Sequence, residues 1–190
     1  TAVCPVGVEG DKMRIAQRSI RKYNLAPSYA NIDENLLIER CNKFASTSNK
    51  NVSSGNNQKV IYFAGCMTAL TPAISRSTTS ILRKAGISYE IMDKDGGICC
   101  GRPMMMAGRL AQAEEMIAKN TAIIKASGAD ILLLSCPICY KIFKEKYDLE
   151  GIEIVHHTEY FDRLINEGRL SVNEGSQRYV YHDPCELGRG

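Results

Sequence analysis

Five of the eight cysteines in this chain are spaced in a way that constrains its fold more than any other feature of the sequence. They form three groups: Cys66, the adjacent pair Cys99 and Cys100, and Cys136 with Cys139. An odd number of sulfurs cannot be paired completely in disulfides. Thiolate is a soft, anionic ligand that favours iron–sulfur clusters and zinc over hard cations. The spacing therefore indicates a metal centre whose ligands come from three distant parts of the chain.

Each cysteine group follows a short apolar run that is typical of a β-strand. The runs cover residues 60–63, 87–92 and 131–134, and a helical pattern follows each group. This β-α-β-α-β alternation favours a parallel sheet, in which ligands bind beyond the carboxyl ends of the strands. Helix N-termini at that edge favour thiolate over thiol. We therefore expect an α/β fold with a short, mostly parallel sheet flanked by helices and preceded by a helical linker, with the five sulfurs converging at one end.

Local sequence signals predict where the elements begin and end. Pro72 suits the first turn of a helix that Thr71 caps and Gly86 ends, and Gly128 suits the end of the next helix. The predicted helices cover residues 11–22, 33–45, 72–85, 107–127, 137–147 and 158–168, the last of them capped by Thr158. Two further strands are predicted at residues 152–155 and 179–181.

Bulk properties exclude several classes of protein. The net charge of +3 is too small to indicate nucleic-acid or membrane binding. No apolar run approaches the roughly 20 residues that a membrane-spanning helix needs. Long helices and the C-C-G and C-x2-C spacings favour metal binding in a reducing cytoplasm over a secreted scaffold stabilised by disulfides.

Three motifs carry a resemblance to a known family. The stretches 63–66 (FAGC), 97–103 (GICCGRP) and 135–139 (SCPIC) resemble the cysteine-rich CCG domain. That domain occurs in the B and D subunits of heterodisulfide reductase. It also occurs in the iron–sulfur subunits of anaerobic glycerol-3-phosphate dehydrogenase, glycolate oxidase and lactate-utilisation systems. The resemblance covers roughly residues 58 to 190. It implies an iron–sulfur cluster, either 4Fe-4S or a larger non-cubane centre, held by Cys66, Cys99, Cys100, Cys136 and Cys139.

The remaining cysteines suggest how the chain is divided. Cys4 followed by proline resembles the last ligand of a bacterial ferredoxin motif, whereas Cys41 lies on an apolar helical stripe and is expected in a core. Residues 181–185 (YHDPC) resemble the opening of a second CCG motif, with Cys185 as the first ligand of an incomplete second site. We expect a truncated ferredoxin-domain end plus helical linker at 1–57, a first CCG domain at 58–175, and the start of a truncated second one at 176–190.

The resemblance implies a fragment of an iron–sulfur oxidoreductase subunit of the heterodisulfide-reductase type, used for electron transfer or disulfide reduction. We expect the isolated fragment to be inactive, and its catalytic residues are not assigned. The implied partners are other redox subunits or a flavoprotein dehydrogenase, with neither nucleic acid nor a direct membrane span. The implied location is the cytoplasm, with membrane association only through partner subunits.

Two alternatives remain open at this point. One is a structural or assembly module that holds zinc through four of the five cysteines. The other is a metal-free thiol–disulfide oxidoreductase in which Cys136 and Cys139 form the redox pair. A metal-free state is also expected of an aerobically purified fragment, because exposed clusters are readily lost to oxygen.

Overall fold

The computed structural model describes residues 10–21, 58–66, 71–92, 98–182 and 184–188. Within these ranges, strands and helices alternate along the chain. In order they are α1 (Gly10–Arg21), β1 (Val60–Phe63), α2 (Pro72–Lys84), β2 (Tyr89–Ile91), α3 (Arg102–Met106), α4 (Leu110–Ser127), β3 (Ile131–Leu134), α5 (Pro137–Lys146), β4 (Glu153–His156), α6 (His157–Asn166) and α7 (Cys185–Gly188).

The four described strands form one sheet in the order β2-β1-β3-β4. Every neighbouring pair is parallel, with Val60 opposite both Tyr89 and Ile131, and with Ile131 opposite Glu153. The predicted α/β fold with a parallel sheet is therefore confirmed. Strand β2 lies on one side of β1, whereas β3 and β4 lie on the other side of β1. This reversal places the switch point, where such sheets usually bind ligands, between β1 and β3.

Helices cover both faces of the sheet, which explains why β1 and β3 are continuous apolar runs rather than alternating ones. All eight residues of β1 and β3 are buried. On one face Phe63 and Leu134 pack with Ile124 of α4 and Phe143 of α5. On the other face the core consists of Val60, Tyr62, Ile131 and Leu133 with Leu82 of α2 and Leu164 of α6. The cysteines of the three motifs belong to the first of these two cores.

Several predicted boundaries were wrong. The strand predicted at 179–181 does not form: residues 171–182 are irregular, and the side chains of Tyr179, Val180 and Tyr181 are exposed. Strand-forming residues need a neighbouring strand to pair with, and the described sheet ends at β4. The predicted helix 107–127 begins only at Leu110, because Gly108 at φ +80° separates it from α3.

The start of α6 also differs from the prediction. His156 is its N-cap, and Thr158 lies inside the first turn. The backbone N–H of His156 donates to the Glu159 carboxylate at 3.4 Å. An acidic side chain inside the helix therefore accepts a hydrogen bond from the backbone at the start of the helix. The predicted helix 33–45 and residues 46–57 lie outside the described residues, as do Cys4 and Cys41.

Candidate metal centre

The structure brings the five cysteines of the three motifs to the carboxyl edge of the sheet. Cys66 follows β1, Cys136 follows β3, and Cys139 lies in the first turn of α5. Cys99 and Cys100 lie in the buried segment between β2 and α3. All five thiols are free of disulfides. Their shared edge follows from the parallel topology, because each of the three motifs comes after the carboxyl end of a strand.

Neighbouring thiols shift one another's pKa values in one continuous series. Its order is Cys66, Cys99, Cys100, Cys139 and Cys136. The series therefore passes from the β1 motif through the Cys-Cys-Gly motif to the β3 motif. No motif stands apart from the other two.

Two of these thiols are stabilised as thiolates. The hydrogen bond from Cys139 lowers the pKa of Cys136 to about 6, helped by the backbone N–H groups of Cys139 and Ile138 at the start of α5. The neighbouring thiols of Cys139 first and of Cys99 second also hold the pKa of Cys100 well below its usual range. The N–H groups at the start of α5 act on Cys136 as a helix N-terminus acts on any anion.

The other three sulfurs are stabilised in the protonated form. The hydrogen bond to Cys99 and then burial raise the pKa of Cys66. The bond to Cys100 raises the pKa of Cys99 to about 12, and the bond to Cys100 is also the largest cause of the raised pKa of Cys139. In the metal-free protein, these three cysteines are therefore thiols rather than thiolates at neutral pH.

Glycines allow the backbone to approach the sulfurs. Gly101 has φ +90°, and its N–H donates to the Cys99 sulfur at 3.4 Å. Gly65 has φ +87°, and a Cβ added there would lie 3.5 Å from the Cys139 sulfur. The left-handed backbone at both positions is strained for any residue with a side chain. Gly97, the third glycine next to the cysteines, lies outside the described residues.

Sequence reasoning missed two polar residues beneath the Cys-Cys-Gly loop. The Asn120 amide donates to the Cys99 carbonyl at 2.9 Å, and the Tyr147 hydroxyl donates to the Cys100 carbonyl at 3.1 Å. Asn120 is fully buried. A signal existed in the sequence: Asn120 is a polar residue on the inner face of α4, at helical spacing from the buried Ala113, Met116 and Ile124.

Charged residues link α7 to the edge of the site. The Glu186 carboxylate lies 3.4 Å from Arg102, which follows the Cys-Cys-Gly motif, and 3.4 Å from Lys141 of α5. Through these contacts α7, whose first residue is Cys185, packs against α5. His182, just ahead of it, is exposed and is not brought into the site.

The donor set has the chemistry that an iron–sulfur cluster requires. Five cysteine sulfurs, of which Cys100 and Cys136 are already stabilised as thiolates, are the soft ligands that such clusters require once all are deprotonated. Among the described residues, no three or more His, Cys, Asp or Glu side chains are arranged to hold one metal ion. A cluster distributes its thiolate ligands over several iron atoms, so they do not need to converge on one point. If it binds here, the five cysteines are the residues that would hold it.

The fold and the site together define an α/β domain whose carboxyl edge is lined by thiols. Residues 60–144 match the model of the cysteine-rich domain named CCG. The match includes all three cysteine motifs, so the resemblance of this part of the chain to the CCG cysteine-rich domain family is confirmed.

Curated proteins with similar sequences come from several microorganisms. The chain is 31% identical over 148 residues to the D subunit of dihydromethanophenazine:CoB–CoM heterodisulfide reductase from Methanosarcina acetivorans. This alignment covers 73% of this chain and 36% of that protein. It is 25% identical over 197 residues to the B subunit of fumarate reductase (CoM/CoB) from Methanothermobacter marburgensis, covering 99% of this chain and 39% of that protein. A probable membrane-anchored ferredoxin of Chromohalobacter salexigens is 26% identical over 60% of this chain and 18% of its own length.

The chain therefore spans less than two fifths of the length of the two reductase subunits. No solved structure matches it significantly. Among the described helices, none is both long enough and apolar enough to cross a bilayer.

Proposed function

We propose that the domain over residues 58–175 binds an iron–sulfur cluster through five cysteines, and that the chain is part of an oxidoreductase subunit of the heterodisulfide-reductase type. The proposed ligands are Cys66, Cys99, Cys100, Cys136 and Cys139. The observation that carries the proposal is that these five cysteines, from three distant motifs, pack in or against one buried core and follow the carboxyl ends of the strands. The reductase subunits among the similar proteins support it.

The protein itself would contribute burial, orientation and proton release. Cys99, Cys100 and Cys139 are buried, and the half-buried Cys66 and Cys136 lie nearer to solvent. The three thiols with raised pKa values must lose their protons on ligation, so cluster binding should release protons and strengthen as the pH rises. When bound, the cluster would supply one-electron chemistry that these side chains cannot supply themselves.

We infer that the parent protein uses this centre either to reduce a disulfide or to relay electrons. Two of the relatives are described as subunits of reductases. This similarity favours other redox subunits or a flavoprotein dehydrogenase as the partners of the parent protein. We infer a cytoplasmic protein that reaches the membrane through partner subunits, and the similarity to a protein described as a membrane-anchored ferredoxin supports an association with a membrane. Residues 1–57, in which proline follows Cys4, would contain the end of a ferredoxin domain. Residues 176–190, with Cys185, would open a second CCG domain.

Anaerobic reconstitution with iron and sulfide tests the proposal. We expect stoichiometric iron and acid-labile sulfide, and a paramagnetic spectrum that distinguishes a 4Fe-4S cluster from a larger non-cubane one. Binding of zinc in place of iron, without sulfide, would support the structural module instead. Failure to take up either metal under anaerobic conditions would contradict the proposal.

A specific observation favours a second candidate, a metal-free thiol–disulfide oxidoreductase. Cys136 is half-buried and has a pKa of about 6, and the buried thiol of Cys139 is the largest cause of that lowered pKa. A low-pKa thiolate at a helix N-terminus next to a second thiol is the arrangement that thiol–disulfide exchange requires. Redox titration of the metal-free protein, read by mass spectrometry, tests it. This candidate predicts a reversible Cys136–Cys139 disulfide with the other three thiols unchanged.

A further inference from the structure

The segment that carries Cys99 and Cys100 is buried but belongs to no helix or strand. Ile98, Cys99 and Cys100 are each at most 2% exposed, yet residues 98–100 have no regular structure. Buried carbonyl groups outside a sheet or helix still require hydrogen-bond donors. In this protein, two side chains from different helices supply those donors, and neither belongs to a cysteine motif.

The two donors are joined to each other as well as to the loop. The Asn120 amide nitrogen donates to the Cys99 carbonyl at 2.9 Å and lies 3.0 Å from the Tyr147 hydroxyl, to which it also donates. The Tyr147 hydroxyl in turn donates to the Cys100 carbonyl at 3.1 Å. One closed network therefore holds both carbonyls of the cysteine pair.

Aromatic packing fixes the position of Tyr147. Its ring lies 3.9 Å from the ring of Phe143, which meets Phe63 of β1 edge-on at 4.9 Å. Tyr147 is the C-cap of α5, the helix whose N-terminal turn contains Cys139. One helix thus supplies thiols at its beginning and holds the other cysteine motif at its end.

We propose that Asn120 and Tyr147 are positioning residues for the Cys99–Cys100 pair, and that they fix the direction of both thiols through the two carbonyls. Side chains of adjacent residues ordinarily diverge, so both sulfurs can take part in one site only if the backbone between them is held in one conformation. The role in cluster assembly rests on the proposed function, whereas the effect on the loop belongs to the metal-free protein and is independent of it.

The test is the alkylation of individual cysteines by iodoacetamide in the metal-free protein, followed by mass spectrometry. Buried thiols react through local opening, and Tyr147→Phe deletes a hydrogen bond that exists only in the closed loop. We expect the rates of Cys99 and Cys100 to rise roughly tenfold relative to that of Cys139, given the usual cost of an unsatisfied buried acceptor. Asn120→Leu should give the same selective rise. Cys139 is the internal reference, because global unfolding would expose all three buried thiols alike.

Tyr160→Phe is the matched control. Tyr160 is a buried tyrosine of α6 on the other face of the sheet, so its variant should leave the ratio of rates unchanged. An unchanged ratio in Tyr147→Phe, or an equal rise in Tyr160→Phe, would overturn the proposal. Tyr147→Phe keeps the ring stacked on Phe143, so it decides the question even if Asn120→Leu fails to fold.

A second measurement addresses the reconstituted protein. If wild-type protein takes up iron and sulfide, Tyr147→Phe should shift the reduction potential or the paramagnetic spectrum of the centre, which a mere loss of stability would not do. If the protein takes up no iron but Tyr147→Phe still raises the alkylation rates of Cys99 and Cys100 relative to that of Cys139, the positioning role stands and only the cluster is rejected. A cluster with wild-type potential and spectrum in Tyr147→Phe would reject the role in assembly.

Discussion

Gly65 and Cys139 come from different motifs, and a Cβ built on Gly65 would lie 3.5 Å from the Cys139 sulfur. That distance is ordinary van der Waals contact, so the space beside the sulfur does not itself exclude a methyl group. The φ of +87° at Gly65 is the stronger constraint, because L-residues rarely adopt it. The glycine between β1 and Cys66 therefore lets the chain turn sharply next to the motif that follows β3.

Gly65→Ala should lower the free energy of unfolding by about 1–2 kcal/mol, the cost of a left-handed conformation for a residue with a Cβ. It should also reduce iron uptake, because relief of the strain would move Cys66 away from the other sulfurs. Denaturant unfolding and iron analysis measure the two effects. Gly151→Ala is the matched control, since Gly151 has φ +82° with nothing within 4 Å of an added Cβ. Equal loss of iron in both variants would contradict the local explanation.

Cys136 and Cys66 should differ sharply in reactivity although both are half-buried. The pKa of Cys136 is lowered to about 6 whereas that of Cys66 is raised above its usual 9.0. Only the thiolate is nucleophilic, so at pH 7.5 Cys136 should be alkylated at least about tenfold faster than Cys66. The Cys136 rate should fall as the pH drops through 6, because protonation removes the thiolate. Site-resolved alkylation between pH 5 and 9 measures this, and a Cys136 profile with a midpoint near 9 would contradict the assignment.

Gly108→Ala should displace α1 from the turn that follows α3. A Cβ at Gly108 would lie 2.2 Å from the Ser19 nitrogen, and the Arg18 guanidinium donates to the nearby Met106 carbonyl at 2.7 Å. Backbone atoms cannot yield to such an overlap, so the helix has to move. We expect faster amide hydrogen exchange across residues 10–21, with little change in the β1 and β3 strands. If Gly151→Ala accelerated exchange in α1 equally, the effect would not come from this contact.

The sequence predicted the parallel sheet well and placed the cysteine motifs after its strands, because both depend on strong and simple rules. Apolar runs such as 60–63 and 131–134 predict buried parallel strands, and parallel strands bring their carboxyl ends to one edge. Pro72, Pro137 and Gly128 marked helix boundaries through their fixed or unusual φ values.

Other features depend on tertiary context that a single sequence does not contain. The strand-forming residues Tyr179 to Tyr181 have no strand of the described sheet to pair with. Asn120 is a polar residue on the inner face of α4, and only the fold places the Cys99 carbonyl beside it. The contact of α1 with Gly108 joins residues about ninety positions apart and leaves no periodic signal.

The central claim is that five particular cysteines hold a cluster. The most direct test is to measure the iron and sulfide content per chain after anaerobic reconstitution of single-residue variants. Replacement of Cys66, Cys99, Cys100, Cys136 or Cys139 by serine should each reduce or alter the cluster, because a hydroxyl is a poor substitute for thiolate on iron. Cys4→Ser and Cys41→Ala are the controls within the same chain and should keep the wild-type content. Full iron and sulfide in Cys99→Ser or Cys100→Ser, together with their loss in Cys41→Ala, would contradict the assignment.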